Sequence, residues 1–164
     1  MKTVIVYYSM SGNTAYTAEK IARELYADMI EIKPKTQYPS KGIRKFLFGG
    51  KSALMAETPE LEPYDFEPGK YDTVILGFPV WAGSVTPPVR TFVRDNLSAL
   101  KGKRVAAFAC QSGAGAPKAF KKLSDCLGGE RLAATLVLTD PKTRPRDENG
   151  ASIEGFCAAL RGQE

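Results

Sequence analysis

The sequence predicts an α/β domain in which a five-stranded parallel sheet is covered by helices on both faces. Five short runs are rich in Val, Ile and Leu, as strands buried on both sides of a parallel sheet are. Stripes of apolar residues at helical spacing follow the first, third, fourth and fifth of these runs. The chain has 164 residues, 43% of them hydrophobic and 25% charged, which predicts one globular domain spanning residues 1–164.

The five predicted strands cover residues 3–8, 29–32, 73–77, 105–110 and 132–139. The predicted helices are marked by stripes at i, i+3, i+4 and i+7 or similar spacing. These stripes are Ala18, Ile21, Ala22 and Leu25; Val89, Phe92, Val93 and Leu97; Pro117, Phe120, Leu123 and Leu127; and Ile153, Phe156, Cys157 and Leu160. Thr86 is the predicted N-cap of the second helix, with Pro87 at its first position, and Gly128 is placed in the C-terminal turn of the third.

A long charged insertion, at about residues 34–70, separates the second strand from the third. Ile43, Phe46 and Leu47 predict one short amphipathic helix in it, and turn residues crowd the remainder. Six of the 23 Lys and Arg residues lie between residues 33 and 51, where there is no acid, so the rest of the chain has 17 bases and 18 acids. We favour a solvated insertion whose basic half attracts the acidic half that follows it. The alternative is a docking patch for an acidic partner. No nucleic-acid-binding module accompanies the basic run, so no nucleic-acid partner is expected.

Composition excludes several classes of site. Histidine is absent, which removes imidazole general bases, Ser-His and Cys-His nucleophiles and most zinc sites. Three scattered cysteines form neither a disulfide framework nor a metal knuckle, so we predict a reducing, cytoplasmic location and no metal. The N-terminal run is predicted to be a first strand rather than a signal peptide. The charge-free stretch 73–89 is broken by Gly and Pro, so no membrane span is expected.

Three loops are the predicted functional region, because ligands of open α/β sheets bind beyond the carboxyl ends of the strands. They are the first loop (residues 9–14), the second loop (78–87) and the third loop (111–117), and none contains a charged residue. In a chain with 25% charged residues, this indicates a site built from backbone amides, hydroxyls and an aromatic surface.

The first loop joins a strand to a helix and has the features of a phosphate cradle. Gly12 lets the backbone wrap closely, the helix N-terminus presents N–H groups, and Ser9, Ser11 and Thr14 add hydroxyl donors. Such a cradle needs no Lys or Arg. The alternative is an ordinary strand-to-helix turn capped by Ser or Asn.

The second loop contains Trp81, the only Trp, between prolines and small residues. It is either a core Trp near a strand end or part of a rigid binding loop held by Pro79 and Gly83. A phosphate cradle beside a rigid aromatic loop suits a planar ligand with one terminal phosphate. Flavin mononucleotide (FMN) fits better than a nucleoside triphosphate, because no acid is placed to bind Mg²⁺.

Taken together, Ser9-x-Ser11-Gly12-Asn13-Thr14 after the first strand and the run 71–81 at the third resemble the flavodoxin-like family over essentially the whole chain. The resemblance implies a three-layer sandwich with strand order 2-1-3-4-5 and FMN as cofactor. It implies that the FMN phosphate lies on residues 9–14 and the isoalloxazine between the loop at 78–84 and the loop beginning at Cys110. The implied cofactor-binding residues are Ser9, Met10, Ser11, Gly12, Asn13, Thr14, Phe78, Pro79, Val80, Trp81, Ala82, Gly83, Cys110, Gln111, Ser112, Gly113 and Gly115.

The resemblance implies electron transfer through bound flavin, with no catalytic side chain beyond the cofactor and a redox protein as partner. Dedicated flavodoxin carriers usually have acids around the flavin and an aromatic side chain in the third loop, and this third loop has neither. The alternative is therefore an NAD(P)H-dependent FMN reductase of quinones or other small acceptors, with one flavin face partly open. A docking module without redox activity is the third possibility. Cys110 is expected to be a small buried hydrophobe rather than a redox-active thiol.

Overall fold

The computed structural model describes residues 1–38 and 57–162. Its strands are β1 (Thr3–Tyr7), β2 (Asp28–Glu31), β3 (Thr73–Pro79), β4 (Arg104–Gln111) and β5 (Thr135–Thr139). Its helices are α1 (Asn13–Leu25), α2 (Pro87–Leu100), α3 (Ala116–Cys126) and α4 (Glu148–Arg161), and a 3₁₀ turn covers Pro68–Lys70. The predicted helix around Ile43, Phe46 and Leu47 lies outside the described residues.

The five strands form one parallel sheet in the order β2-β1-β3-β4-β5, which confirms the predicted fold and strand order. β1 lies between β2 and β3, so the chain reverses its direction of travel across the sheet after β2. The switch point in strand order therefore lies between β1 and β3, and the loops at their carboxyl ends meet there.

Alternating residues of the central strands divide the core between two faces of the sheet. Val4, Val6, Val74 and Leu76 pack with α2 and α3 on one face. On the other face, Ile5, Tyr7, Ile75 and Phe108 pack with α1 and α4. The three layers follow from this alternation, because each inward-facing set needs its own covering helices.

The outer strands differ from their predicted form. Met29 of β2 is exposed, and Val137 of β5 is 38% exposed, because each edge strand lacks a neighbour on one side. β5 also begins at Thr135 rather than at residue 132. The residues before it still reach β4, with the Ala133 N–H donating to the Val105 carbonyl at 2.7 Å. Burial on both faces is thus a property of the central strands only.

Thr86 is the N-cap of α2 and Pro87 begins the helix, as the sequence predicts. The Thr86 hydroxyl nevertheless makes no capping hydrogen bond. A capping oxygen binds the N–H of the second or third helical residue, and Pro88 at the second position has none.

Part of the insertion folds back on itself. Pro34 and Leu61 form an antiparallel bridge, and the Lys35 Nζ lies 2.9 Å from a Glu60 carboxylate oxygen. The basic and acidic halves therefore do meet at this pair, as the favoured interpretation of the charge pattern requires. The bases at 41, 44, 45 and 51 lie outside the described residues. Within residues 1–38 and 57–162, no helix has the length and apolar character needed to cross a bilayer.

Candidate functional site

The first loop turns tightly around Gly12 before α1 begins. Gly12 has φ +90°, a left-handed conformation that favours glycine, and its carbonyl accepts the Tyr16 N–H at 3.0 Å. The Ser9 hydroxyl oxygen accepts the Ala15 N–H at 3.1 Å. The other N–H groups of the first turn have no carbonyl partner within the helix, so they are available to an anion.

Asn13 and Thr14 are buried, and their side chains face the protein. The Asn13 Oδ1 accepts backbone N–H groups of Lys142 at 2.9 Å and Thr143 at 3.3 Å, and its amide donates to the Ser11 hydroxyl at 3.3 Å. Thr14 is 1% exposed and lies against the thiol of Cys110. Asn13 therefore contributes a structural tie to a distant loop, which the sequence motif alone did not indicate.

The second loop contains a two-residue hairpin turn. Trp81 and Ser84 pair through reciprocal backbone hydrogen bonds of 3.2 and 2.9 Å, and Ala82 and Gly83 between them have φ of +49° and +65°. Two consecutive positive φ values are the signature of a type I′ turn, which holds a short loop rigidly. The Val80 N–H donates to the Cys110 carbonyl at 2.8 Å, so the loop is also fixed to β4.

Trp81 lies in the core beneath this turn. Its side chain is 3% exposed and packs edge-on against Tyr8 and Tyr38, with ring centroids 5.8 and 5.3 Å away. Burial raises the pKa of Tyr8 and of Tyr38 to about 12, so both phenols are neutral. Of the two alternatives that the sequence leaves open for Trp81, the structure shows the core residue. The indole is therefore part of the core, where it supports the turn at Ala82 and Gly83.

The second and third loops touch each other. Gly115 is the N-cap of α3 with φ +111°, and a Cβ at this position would lie 2.9 Å from the Gly83 Cα. The Gln111 side chain caps the same helix, its Oε1 accepting the Ala116 N–H at 3.1 Å. Between these two anchors, residues 112–114 are exposed and carry only small side chains.

Cys110 is a buried thiol at the end of β4. Burial raises its pKa to about 11, while hydrogen bonding with Thr17 and Thr14 opposes that shift in part. The Thr17 Oγ1 lies 3.5 Å from the sulfur. A protonated, buried thiol is a poor nucleophile, which agrees with the expectation that Cys110 is structural.

A fourth loop (residues 140–147), which follows β5, also reaches this edge of the sheet. Asp140 is 7% exposed with φ +43°, accepts the Ser112 hydroxyl at 2.8 Å and donates its N–H to the Gln111 carbonyl at 3.0 Å. Lys142 reaches the first loop. The edge is therefore not free of charge, although the first three loops are. The signal available in the sequence was the position of this loop after a fifth parallel strand, whose carboxyl end must face the same way.

Two hydroxyls in the second loop lack partners. Ser84 and Thr86 are buried, and neither hydroxyl oxygen has a hydrogen-bond partner in the part of the chain that the structure describes. Buried polar groups are normally satisfied, so these two positions are unusual. In the same described ranges, no three acidic or cysteine side chains come together as a metal site would require.

Known proteins share this arrangement of strands and helices. The family model described as Flavodoxin matches residues 2–147. A flavoprotein from Lactobacillus acidophilus NCFM, solved in complex with FMN, shares 24% identity at a TM-score of 0.64, covering 94% of this chain and 97% of its own. Oxidised flavodoxin 2 from Bacillus cereus shares 21% identity at a TM-score of 0.60, covering 100% of both chains. A protein from Bacteroides eggerthii DSM 20697 has a TM-score of 0.79 at 23% identity, covering 98% of each chain.

Proposed function

This chain belongs to the flavodoxin family, and from that premise we propose that it binds FMN and transfers electrons through the bound flavin. The observation that carries the proposal is the first loop at the carboxyl end of β1. A left-handed Gly12 there brings the backbone around the N-terminus of α1 next to the switch point in strand order.

The residues of this loop fit a phosphate group. Gly12 carries no side chain where an anion would approach, and the first-turn N–H groups of α1 supply donors. The Ser11 side chain is exposed, so its hydroxyl is accessible as a further donor. The FMN complex of the Lactobacillus acidophilus flavoprotein supports the choice of ligand.

Bound FMN would supply the redox chemistry, and the chain would supply binding and orientation. The second and third loops hold fixed positions through the Gly83–Gly115 contact and the type I′ turn over Trp81. Because these loops are already fixed, little conformational entropy of the protein is lost when a planar ring binds beside them.

A second candidate function, an NAD(P)H-dependent reductase of quinones or similar small acceptors, is favoured by the third loop. Residues 112–114 are exposed and small, so no aromatic side chain from this loop covers a bound flavin. In contrast, the buried Asp140 favours the carrier, because it places beside Ser112 an acid that the third loop itself lacks. The two functions differ in the electron donor, which is a redox protein for the carrier and a nicotinamide for the reductase.

Calorimetric titration with FMN, riboflavin and FAD tests the binding proposal. We expect FMN to bind most tightly, because riboflavin lacks the phosphate and because the phosphate of FAD is not terminal, as the proposed cradle requires. Equal affinity for riboflavin and FMN would remove the phosphate role from residues 9–14. Failure to bind any flavin would favour a docking module without redox function.

Anaerobic mixing of the FMN-loaded protein with excess NADPH or NADH separates reductase from carrier. Loss of the oxidised flavin absorption without a partner protein supports the reductase. Ala114→Tyr should then slow the reduction while FMN binding stays unchanged or tightens, because Tyr would cover the open side. Rapid reduction by a ferredoxin-type donor, with none by either nicotinamide, supports the carrier.

A further inference from the structure

Lys142 in the fourth loop places a cation directly over the first loop. A Cβ built on Gly12 would lie 3.2 Å from the Lys142 Nζ and 3.6 Å from its Cδ. The ammonium group therefore borders the space in front of the first turn of α1. The sequence alone indicates no cation at the first loop, because the first and fourth loops lie about 130 residues apart in the chain.

The position of Lys142 is held by its backbone. Asn13 accepts the N–H groups of Lys142 and Thr143, and Pro141 before them is buried. The turn that contains Pro141 and Lys142 is fixed by the Asp140 N–H, which donates to the Gln111 carbonyl, and by the Arg144 N–H, which donates to the Asp140 carbonyl at 2.7 Å. The side chain thus extends from an anchored segment toward Gly12.

The positive charge of Lys142 is in an unfavourable position unless an anion binds next to it. The N-terminus of a helix carries positive partial charge, so it favours acids and disfavours cations. Lys142 forms no ion pair with any carboxylate of residues 1–38 or 57–162, whereas Arg144 and Arg146 in the same loop lie near Asp140 and Glu148. A negatively charged group between the ammonium and the helix N-terminus would relieve this repulsion.

We propose that Lys142 binds the FMN phosphate together with the first-turn N–H groups of α1, and that it makes the site selective for the phosphorylated flavin. This inference rests on the proposed function. It adds a charged contact to a cradle that otherwise depends on backbone amides and hydroxyls. Hydrogen bonds to charged groups are stronger than neutral ones, so the contribution should be measurable.

Titration of wild type and Lys142→Gln with FMN and riboflavin tests the proposal. We expect the dissociation constant for FMN to rise roughly tenfold or more in Lys142→Gln, as loss of a charged hydrogen bond predicts. Riboflavin affinity should stay unchanged, because riboflavin has no phosphate. The melting temperature of the ligand-free variant should equal or exceed that of wild type, since the repulsion with α1 is removed.

Arg146→Gln is the matched control, because it removes one positive charge from the same loop at a residue paired with Glu148. It should leave FMN affinity within about twofold of wild type. An equal loss in Arg146→Gln and Lys142→Gln would indicate general attraction and overturn a specific contact. Wild-type FMN affinity in Lys142→Gln overturns this inference alone, whereas binding of neither flavin by wild type overturns the proposed function as well.

Discussion

At the scale of single residues, two buried threonines near the start of α2 differ in how their hydroxyls are satisfied. The Thr91 hydroxyl donates to the Pro59 carbonyl at 2.8 Å, which ties the helix to the acidic half of the insertion. The Thr86 hydroxyl is equally buried but has no partner among the described residues. Both side chains have the shape of valine, so a methyl can replace each hydroxyl without a cavity.

We expect Thr91→Val to lower the free energy of unfolding by about 1 kcal/mol, the usual net value of a buried hydrogen bond. Thr86→Val should leave stability unchanged or raise it, because it removes an unsatisfied polar group. Urea denaturation of the ligand-free protein measures both. A loss in Thr86→Val as large as that in Thr91→Val would show that its hydroxyl is bonded in solution.

The buried thiol of Cys110 predicts a loss of stability in alkaline solution. Its folded pKa is about 11 against an ordinary value of 9.0, because burial disfavours the thiolate. Between these values the unfolded chain has lost the proton and the folded chain keeps it, so unfolding releases a proton and is promoted by rising pH. The urea concentration at the denaturation midpoint should decrease as the pH rises above about 9. The decrease should be smaller in Cys110→Ala, and an equal decrease in the variant and in wild type would contradict this explanation.

At the scale of elements, the packing of β3 against β4 depends on Gly77. A Cβ at this position would lie 2.2 Å from the Phe108 Cζ, well inside contact distance. Phe108 is fully buried, and close-packed cores leave little space for a ring to move. Position 77 therefore requires glycine, because the Phe108 ring fills the space that a side chain would need.

Gly77→Ala should therefore destabilise the protein by about 1–3 kcal/mol, as overpacking of a core does. Phe108→Leu in the Gly77→Ala background should recover part of that loss, and a double-mutant cycle measures the coupling. Gly113→Ala is the control, since a Cβ there meets nothing within 4 Å. Additive effects of the changes at 77 and 108 would rule out this clash as the cause.

At the scale of the whole molecule, FMN should stabilise the native state because its proposed site exists only when the sheet is assembled. The first, second and third loops come from separate parts of the chain and meet only at the edge of the folded sheet. FMN at a hundred times its dissociation constant should add about 2.7 kcal/mol. For a chain of this size that corresponds to roughly 5–10 °C in melting temperature. Riboflavin at the same concentration should shift the melting temperature less, and an equal shift would argue against phosphate binding.

The positions of the central strands and of the helices could be predicted because each depends on local periodicity. The stripes at 18–25 and 89–97 lie on α1 and α2, and Pro87 begins α2 as its fixed φ favours. The location of the first three loops at one edge also follows, since the carboxyl ends of parallel strands face the same way. The attraction between the basic and acidic halves of the insertion could be predicted from the distribution of charge along the chain, and the Lys35–Glu60 pair confirms it in part.

Contacts between distant segments were decided only by the tertiary structure. The amide of Asn13 could have faced a ligand, but it holds residues 142 and 143, which no local pattern connects to the first loop. Trp81 had two interpretations, and the positions of Tyr8 and Tyr38 placed it in the core. Lys142 and Asp140 enter the site because β5 ends beside β4. Periodicity reports which face of an element is buried, whereas the partner of a polar side chain depends on which loops the assembled sheet brings together.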